Sequence, residues 1–189
     1  MEELNQHFPA DDFAEDWGIT FGKSQSPDGN IPTASLFATM QEMVQQVTQS
    51  AKRVNYQLTR GERVAVLSLD HDRFDTYCRA GFFRDEFINV CSRDEIGMIQ
   101  RYNKRAILSM PEYVAGLQFH TVFLLDVNAQ LVTQLGGGPN GLQRFISASY
   151  LGASRAMCGL NLYADGSAGG FAEPIRAAIQ SGVLRPLES

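Results

Sequence analysis

The sequence is poor in cysteine, and its few cysteines are badly spaced for structural bonds. The 189 residues include only Cys78, Cys91 and Cys158. Their number is odd, no two form a CxxC pair, and no histidine stands near them at metal-ligand spacing. This argues against both a disulfide framework and a zinc site. We expect reduced, mostly buried thiols.

A long apolar run is also missing. No stretch approaches the roughly 20 apolar residues that a transmembrane helix needs. Residues 1–16 are acidic, whereas a signal peptide begins with a basic and then an apolar segment. We therefore predict a cytoplasmic protein without a membrane partner.

Positive charge is in deficit. The chain has 16 Lys and Arg against 21 Asp and Glu, so its formal charge is -5, and its pI is near 5.2. Nucleic-acid modules usually carry a basic surplus, so any DNA contact must be local or shared with a partner. The 44% of hydrophobic and 20% of charged residues are typical of a globular protein, here of one domain.

Two common catalytic motifs are absent. The glycine-rich run Gly136–Pro139 lacks the lysine and hydroxyl of the P-loop pattern GxxxxGK[ST], which hold phosphate and magnesium. We interpret it as a flexible connection. His7, His71 and His120 are scattered, and no nucleophile motif such as GxSxG occurs.

What the sequence does contain is an alternation of apolar patterns. Short apolar runs predict strands, and apolar residues three and four apart predict helices. The predicted strands are residues 63–69, 87–90, 106–110, 121–125 and 160–163. The predicted helices are a long one from Thr33 that includes Leu36 and Phe37, one after Asp70, one from a Ser92 capping box to Gln100, one from Asn140 to about Ala156, and residues 171–181. Residues 127–139 are predicted as loop, and residues 1–32 as an irregular arm around a short strand, Trp17–Phe21.

This alternation predicts an α/β domain with a mainly parallel sheet flanked by helices on both faces. Ligands of such sheets meet the loops beyond the carboxyl ends of the strands, so the loops after Leu69, Met110 and Leu125 matter most. Asp70 and Asp72 lie in the first of these loops. Helix capping explains both aspartates, and a metal site is the alternative.

Two segments that precede strands resemble helicase motifs. Gly116-Leu-Gln-Phe119 stands just before the apolar run Thr121–Leu125, and Tyr150-Leu-Gly-Ala-Ser-Arg-Ala156 stands just before the strand at 160–163. The first resembles the fifth motif of superfamily 1 helicases, commonly KGLEF. The second resembles the sixth, commonly YVALTRA.

Two outer segments extend the resemblance. Arg63–Leu69 resembles the strand of the fourth motif, and Phe171–Ile179 resembles the short helix that closes the domain. About residues 60–182 thus resemble the C-terminal motor domain of UvrD/Rep-type DNA helicases. The resemblance implies that residues 33–189 form a RecA-like helicase C-terminal-type domain.

In such motors ATP binds between two RecA-like domains, and this domain supplies the second wall of the cleft. The resemblance implies that Arg155 is the arginine that reaches the γ-phosphate, where a fixed cation offsets the charge of phosphoryl transfer. Gln118 occupies the place of a glutamate that contacts the nucleotide sugar, and Gly116 would allow a close backbone approach. ATP and magnesium would bind only with a Walker-motif partner, an N-terminal helicase domain in the same longer chain or in trans. No ATPase activity is expected from this chain alone, and DNA is a candidate partner of the assembly.

The chain departs from the family pattern at several polar positions. Ala115 replaces the lysine of KGLEF, Gln118 replaces its glutamate, and Glu112 replaces a histidine upstream. Leu69 stands at the position of the fourth motif's arginine. The apolar framework is therefore kept while much of the polar machinery differs.

Two other hypotheses fit these residues. A degenerate RecA-like module could serve as a protein-interaction scaffold without nucleotide chemistry, in which case Arg155 is a surface arginine that favours the helix dipole. An unrelated doubly wound enzyme would instead bind a cofactor at the end of the strand that finishes at Leu69.

Overall fold

A computed structural model describes residues 30–59, 61–83, 87–99, 101, 105–166 and 171–187. Within these residues one sheet of seven strands forms, in the order β3-β4-β2-β5-β6-β1-β7. The strands are β1 Thr33–Phe37, β2 Val64–Ser68, β3 Phe87–Val90, β4 Ala106–Ser109, β5 Phe119–Val127, β6 Ala156–Asp165 and β7 Arg185–Pro186. The helices are α1 Met40–Gln57, α2 His71–Ala80, α3 Ile96–Ile99, α4 Ala129–Gln134, α5 Gly138–Ala153 and α6 Ala172–Gln180, with a 3-10 turn at Arg93–Glu95.

Every strand pairing is parallel. The predicted α/β class, with a parallel sheet flanked by helices, is therefore confirmed. The central strand β5 carries the predicted apolar run and is buried from Thr121 to Asp126. A strand that is covered on both faces has no need of alternating polar residues, which explains the continuous run.

The core lies on both faces of the sheet because successive residues of each strand point to opposite sides. Val64 and Val66 of β2 pack with α1 and α2 on one face. Ala65 and Leu67 pack on the other face, where Phe145 of α5 contributes to the core. The sheet is therefore the middle layer of three.

The helix predicted from Thr33 is wrong at its beginning, because residues 33–37 form strand β1. This strand pairs in register with β6, and Phe37 stacks on Tyr163 with ring centroids 5.3 Å apart. Helix α1 starts only after Thr39, whose side chain accepts a hydrogen bond from the backbone N–H of Glu42. Leu36 and Phe37 fit the helical spacing by accident, and the capping threonine marks the true start.

The loop predicted for residues 127–139 is also wrong. Asn128 caps the short helix α4 by accepting from the N–H of Leu131, and α5 begins at Gly138 rather than after Asn140. Gly136 and Gly137 both have positive φ, so they turn the chain sharply between the two helices. The glycine run is a tight helix–helix turn, not a flexible connection.

Some smaller predictions were wrong or incomplete. The predicted Ser92 capping box is wrong, because Ser92 makes no side-chain cap and Glu95 accepts from the N–H of Cys91 rather than from that of Ser92. Strand β6 is longer than predicted, and β7 was not predicted. The arm's strand Trp17–Phe21 lies outside the described residues.

The expectation of mostly buried thiols is wrong, since Cys91 and Cys158 are exposed and Cys78 is part-buried.

No helix among the described residues is both long and apolar enough to cross a membrane.

Candidate functional site

The site residues predicted from the sequence lie together at the amino-terminal ends of the parallel strands, where β5 and β6 begin side by side. Gln118 immediately precedes β5 and Arg155 immediately precedes β6. The N–H of Phe119 donates to the carbonyl oxygen of Arg155 at 2.8 Å and so ties the two strand starts together. The two helicase-like segments, 39 positions apart at Gly116 and Arg155, therefore form one surface.

Gly116 and Gln118 are both exposed on this surface. Gly116 has φ 92, a left-handed conformation that side chains disfavour, and a Cβ there would meet open space. The glycine is therefore needed for the turn itself, and the space beside it is free for an incoming group.

Arg155 is part-buried, and its guanidinium contacts its own domain. Nε donates to the carbonyl oxygen of Leu151 at 3.2 Å, and the two terminal nitrogens donate to Leu117 O at 3.4 Å and Ser154 Oγ at 3.1 Å. The Leu117 contact joins the two helicase-like segments directly. It is also the longest of the three contacts.

Three of the large exposed apolar side chains in the described residues lie close to Arg155 in sequence. Ile146 and Tyr150, one helical turn apart on α5, are 44% and 50% exposed, and Met157 at the start of β6 is 50% exposed. Single exposed apolar side chains occur on most protein surfaces, so what distinguishes these three is that all lie within ten residues of Arg155 in the sequence.

A second polar cluster, centred on Asp126, lies at the opposite, carboxyl-terminal ends of the strands. The sequence analysis did not single out Asp126. Asp126 is the penultimate residue of β5 and has φ 64, at a register shift between β5 and β6. The whole residue is only 2% exposed. It accepts hydrogen bonds from Ser68 Oγ at 2.6 Å and Tyr77 Oη at 2.7 Å, and from the guanidinium of Arg73 at 3.2 Å. An aspartate that ends an apolar buried strand was the signal that could have found it.

Burial dominates the electrostatics of this cluster. It raises the pKa of Asp126, against the opposing effects of the Ser68 and Tyr77 hydroxyls and the charge of Arg73. Burial also raises the pKa of Tyr77, with the negative charge of Asp126 adding to it. Tyr77 therefore stays a hydroxyl donor at neutral pH.

A small pocket opens beside Asp126. Its wall includes Phe37, Thr39, Met40, Arg73, Asn128 and Asp165. The carboxylate already has three donors, so the network is complete without a ligand.

Asp70 caps α2, as predicted. Its side chain accepts from the N–H groups of Asp72 and Arg73 at 2.9 and 3.1 Å. The part of the chain that the structure describes holds no group of three or more side chains arranged to bind a metal. Capping is therefore the explanation of Asp70 that the geometry supports.

No protein-family model matches the chain, and no curated protein matches it. The fold nevertheless resembles solved structures. The likeness to the first one described below identifies it as the RecA-like form of the α/β class, as predicted.

The C-terminal domain of a possible DNA helicase from Lactobacillus plantarum WCFS1 is one relative, with a TM-score of 0.60 and 18% identity over 85% of this chain and 88% of that one. XPD helicase gives a TM-score of 0.49 and 11% identity. The alignment covers 85% of this chain and 34% of the XPD helicase chain. At such low identity the likeness is one of fold.

Proposed function

We propose that this chain is the second motor-like domain of a UvrD-type, ATP-dependent DNA helicase. It supplies Arg155 as an arginine finger to an ATP and magnesium site that a Walker-motif domain, in the same longer chain or in trans, completes. The observation that carries this proposal is the meeting of two helicase-like segments at adjacent strand starts, tied by the Phe119–Arg155 hydrogen bond. The protein works in the cytoplasm, on DNA that the whole assembly binds.

Each predicted residue has a role that its position supports. Arg155 needs only to exchange neutral oxygens of its own domain for those of a phosphate, a stronger charge-assisted partner. Gln118 is exposed next to it and contacts the nucleotide sugar. Gly116 keeps the turn open to the neighbouring domain, and the apolar side chains of Ile146 and Tyr150 are covered when that domain docks.

The test is ATP turnover by the assembly of this chain with its Walker-motif domain, comparing wild type with Arg155→Ala. Removal of an arginine finger costs roughly 10³–10⁵ in kcat, and we expect a loss in that range while binding of the partner domain is kept. Arg176→Ala is the matched control, since Arg176 is an exposed arginine on α6, and it should leave turnover unchanged. Equal turnover by wild type and Arg155→Ala would refute the finger role.

The hydrogen bonding of Arg155 favours one alternative, a protein-interaction scaffold without nucleotide chemistry. In that case the three contacts of the guanidinium serve only to join the start of β6 to the preceding loop. The same experiment separates the two functions. If the chain is a scaffold, Arg155→Ala lowers its stability but leaves ATP turnover unchanged. The Walker-motif domain then binds ATP with the same affinity in the presence and in the absence of this chain.

A further inference from the structure

The hydroxyl of Ser154 is both a donor and an acceptor at the end of helix α5. Ser154 is the C-terminal cap of this helix and directly precedes Arg155. Its Oγ donates to the carbonyl oxygen of Leu151 at 2.9 Å. Because the hydroxyl hydrogen is used in this way, the lone pairs of Oγ are left to accept from Nη2 of Arg155, at 3.1 Å. Within the part of the chain that the structure describes, Ser154 is the only side chain that holds this guanidinium.

The contacts of Ser154, Leu151 and Arg155 close a small ring of hydrogen bonds. The carbonyl oxygen of Leu151 accepts from Ser154 Oγ and also from Nε of Arg155, at 3.2 Å. The Nε–H and one N–H of Nη2 lie along the same edge of the planar guanidinium, so Leu151 and Ser154 hold that edge together. Two acceptors on one edge fix the plane of the group, whereas a single acceptor would let it pivot.

This arrangement leaves a defined part of the guanidinium unused. An arginine has five N–H groups, and the contacts with Leu151, Leu117 and Ser154 use one each on Nε, Nη1 and Nη2. Each terminal nitrogen therefore keeps one N–H without an acceptor among the described residues. Two donors on a planar fork suit the oxygens of a phosphate.

We propose that Ser154 is a positioning residue for Arg155. Its hydroxyl fixes the plane of the guanidinium, so that the remaining N–H groups of Nη1 and Nη2 are presented to the γ-phosphate while the Nε edge stays bound to α5. This inference rests on the proposed function, because it assigns a second residue to the same arginine finger. Ser154 itself does not touch the nucleotide.

The first test uses the full chain alone and measures the guanidinium directly. In the protein labelled with ¹⁵N, NMR gives the rate at which the guanidinium hydrogens of Arg155 exchange with water. Ser154→Ala opens the ring, so we expect exchange to become faster by roughly tenfold, the factor for losing one hydrogen bond to a charged group. Ser154→Thr keeps a hydroxyl that can bond the same carbonyl oxygen, and it should restore the wild-type rate.

Ser181→Ala is the matched control. Ser181 caps the C-terminus of α6 as Ser154 caps α5, and its Oγ donates to the carbonyl oxygen of Ala178 at 3.1 Å. It is followed by Gly182 instead of an arginine. The control therefore loses the same kind of helix-end hydrogen bond but should leave the exchange rate of Arg155 unchanged.

The second test measures ATP turnover by the assembly with the Walker-motif domain. A misplaced catalytic group costs up to about 10²-fold, so Ser154→Ala should lower kcat by roughly 10- to 100-fold at unchanged KM for ATP. Ser154→Thr and Ser181→Ala should turn over like wild type.

The outcomes separate this inference from the proposed function. Equal turnover by wild type and Arg155→Ala would overturn both. If Arg155→Ala is inactive, the positioning role alone is overturned by a wild-type kcat in Ser154→Ala, by a change confined to KM, or by wild-type exchange of the Arg155 hydrogens in that variant.

Discussion

At the scale of single residues, Asp126 combines two unfavourable features in one position. It is a non-glycine residue with positive φ, and its carboxyl group is buried. Each feature destabilises a fold by itself, although aspartate tolerates the left-handed region better than most residues. The three donors around the carboxylate offset the loss of water, and together they join β2, α2 and β5.

The pKa of Asp126 makes a prediction about pH. Because burial raises this pKa, the folded protein favours the protonated carboxyl more than the unfolded chain does. That contribution to stability is present at low pH and is lost as the pH rises through the folded-state pKa. Asp126→Asn cannot titrate, and it puts an NH2 donor in place of one of the two side-chain oxygens. A hydroxyl donor then faces another donor, so the variant should be less stable by about 1–3 kcal/mol at pH 4.

The difference between wild type and Asp126→Asn should shrink as the pH rises toward 7, measured by urea unfolding at several pH values. Asp94→Asn serves as the control, since Asp94 is exposed, and it should leave the pH dependence of wild type unchanged. A difference that grows with pH would contradict the direction of the Asp126 pKa.

The polar residues at the two ends of the parallel strands could not be predicted equally well from the sequence. Arg155, Gln118 and Gly116 could be picked out because a family resemblance fixes their places, and the fold brings them together. Asp126 has no such motif. Its partners Ser68 and Tyr77 are 58 and 49 positions away, and only the strand order makes them neighbours.

At the scale of secondary structure, the junction of α4 and α5 depends on one glycine. A Cβ at Gly141 would lie 2.3 Å from the carbonyl oxygen of Val132, which is backbone and cannot rotate away. The two helices can therefore approach this closely only with glycine there.

Gly141→Ala should destabilise the protein by roughly 1–3 kcal/mol or more, because overpacking pushes α4 and α5 apart. Gly97→Ala is the matched control, as Gly97 is also helical and a Cβ there has no neighbour within 4 Å. It should be neutral or stabilising by up to about 1 kcal/mol. Thermal unfolding of both variants measures the contrast, and equal midpoints would show that the helices can separate freely.

Most strands and helices could be predicted because their apolar residues follow the period of the element. Strands β2 to β5, and helices α2 and α6, were found in this way. The failures lie where another signal decides. Thr39 and Asn128 start helices by capping, and β1 owes its extended form to pairing with β6, a partner 128 positions away at Thr33 and Asn161.

At the scale of the whole molecule, the net charge and the lack of a phosphate-binding motif limit what the chain can do with ATP by itself. The chain has a net charge of -5 and no P-loop. Glu112 lies in the loop after β4, where its Oε1 is 3.0 Å from Nε2 of His71. An acidic side chain thus lies at the carboxyl-terminal ends of the strands. The net negative charge and the carboxylate of Glu112 both weaken attraction to phosphates.

The isolated chain should therefore hydrolyse no ATP, with or without single-stranded DNA, in a coupled assay of the purified protein. Contaminating enzymes are distinguished by Arg155→Ala, purified in the same way, which should give the same background as wild type. Turnover by wild type that disappears in Arg155→Ala would contradict the need for a partner domain.

Helix α5 also has a mechanical consequence. Its 16 residues make a rod of about 24 Å at 1.5 Å per residue. Gly141 wedges one end against α4, while Arg155 sits just past the other. The far end is packed as closely as the near one, since a Cβ at Gly152 would lie 2.6 Å from a methyl carbon of Leu124 in β5. The helix is therefore held at both ends, and it fixes the position of Arg155 relative to the distant glycine turn.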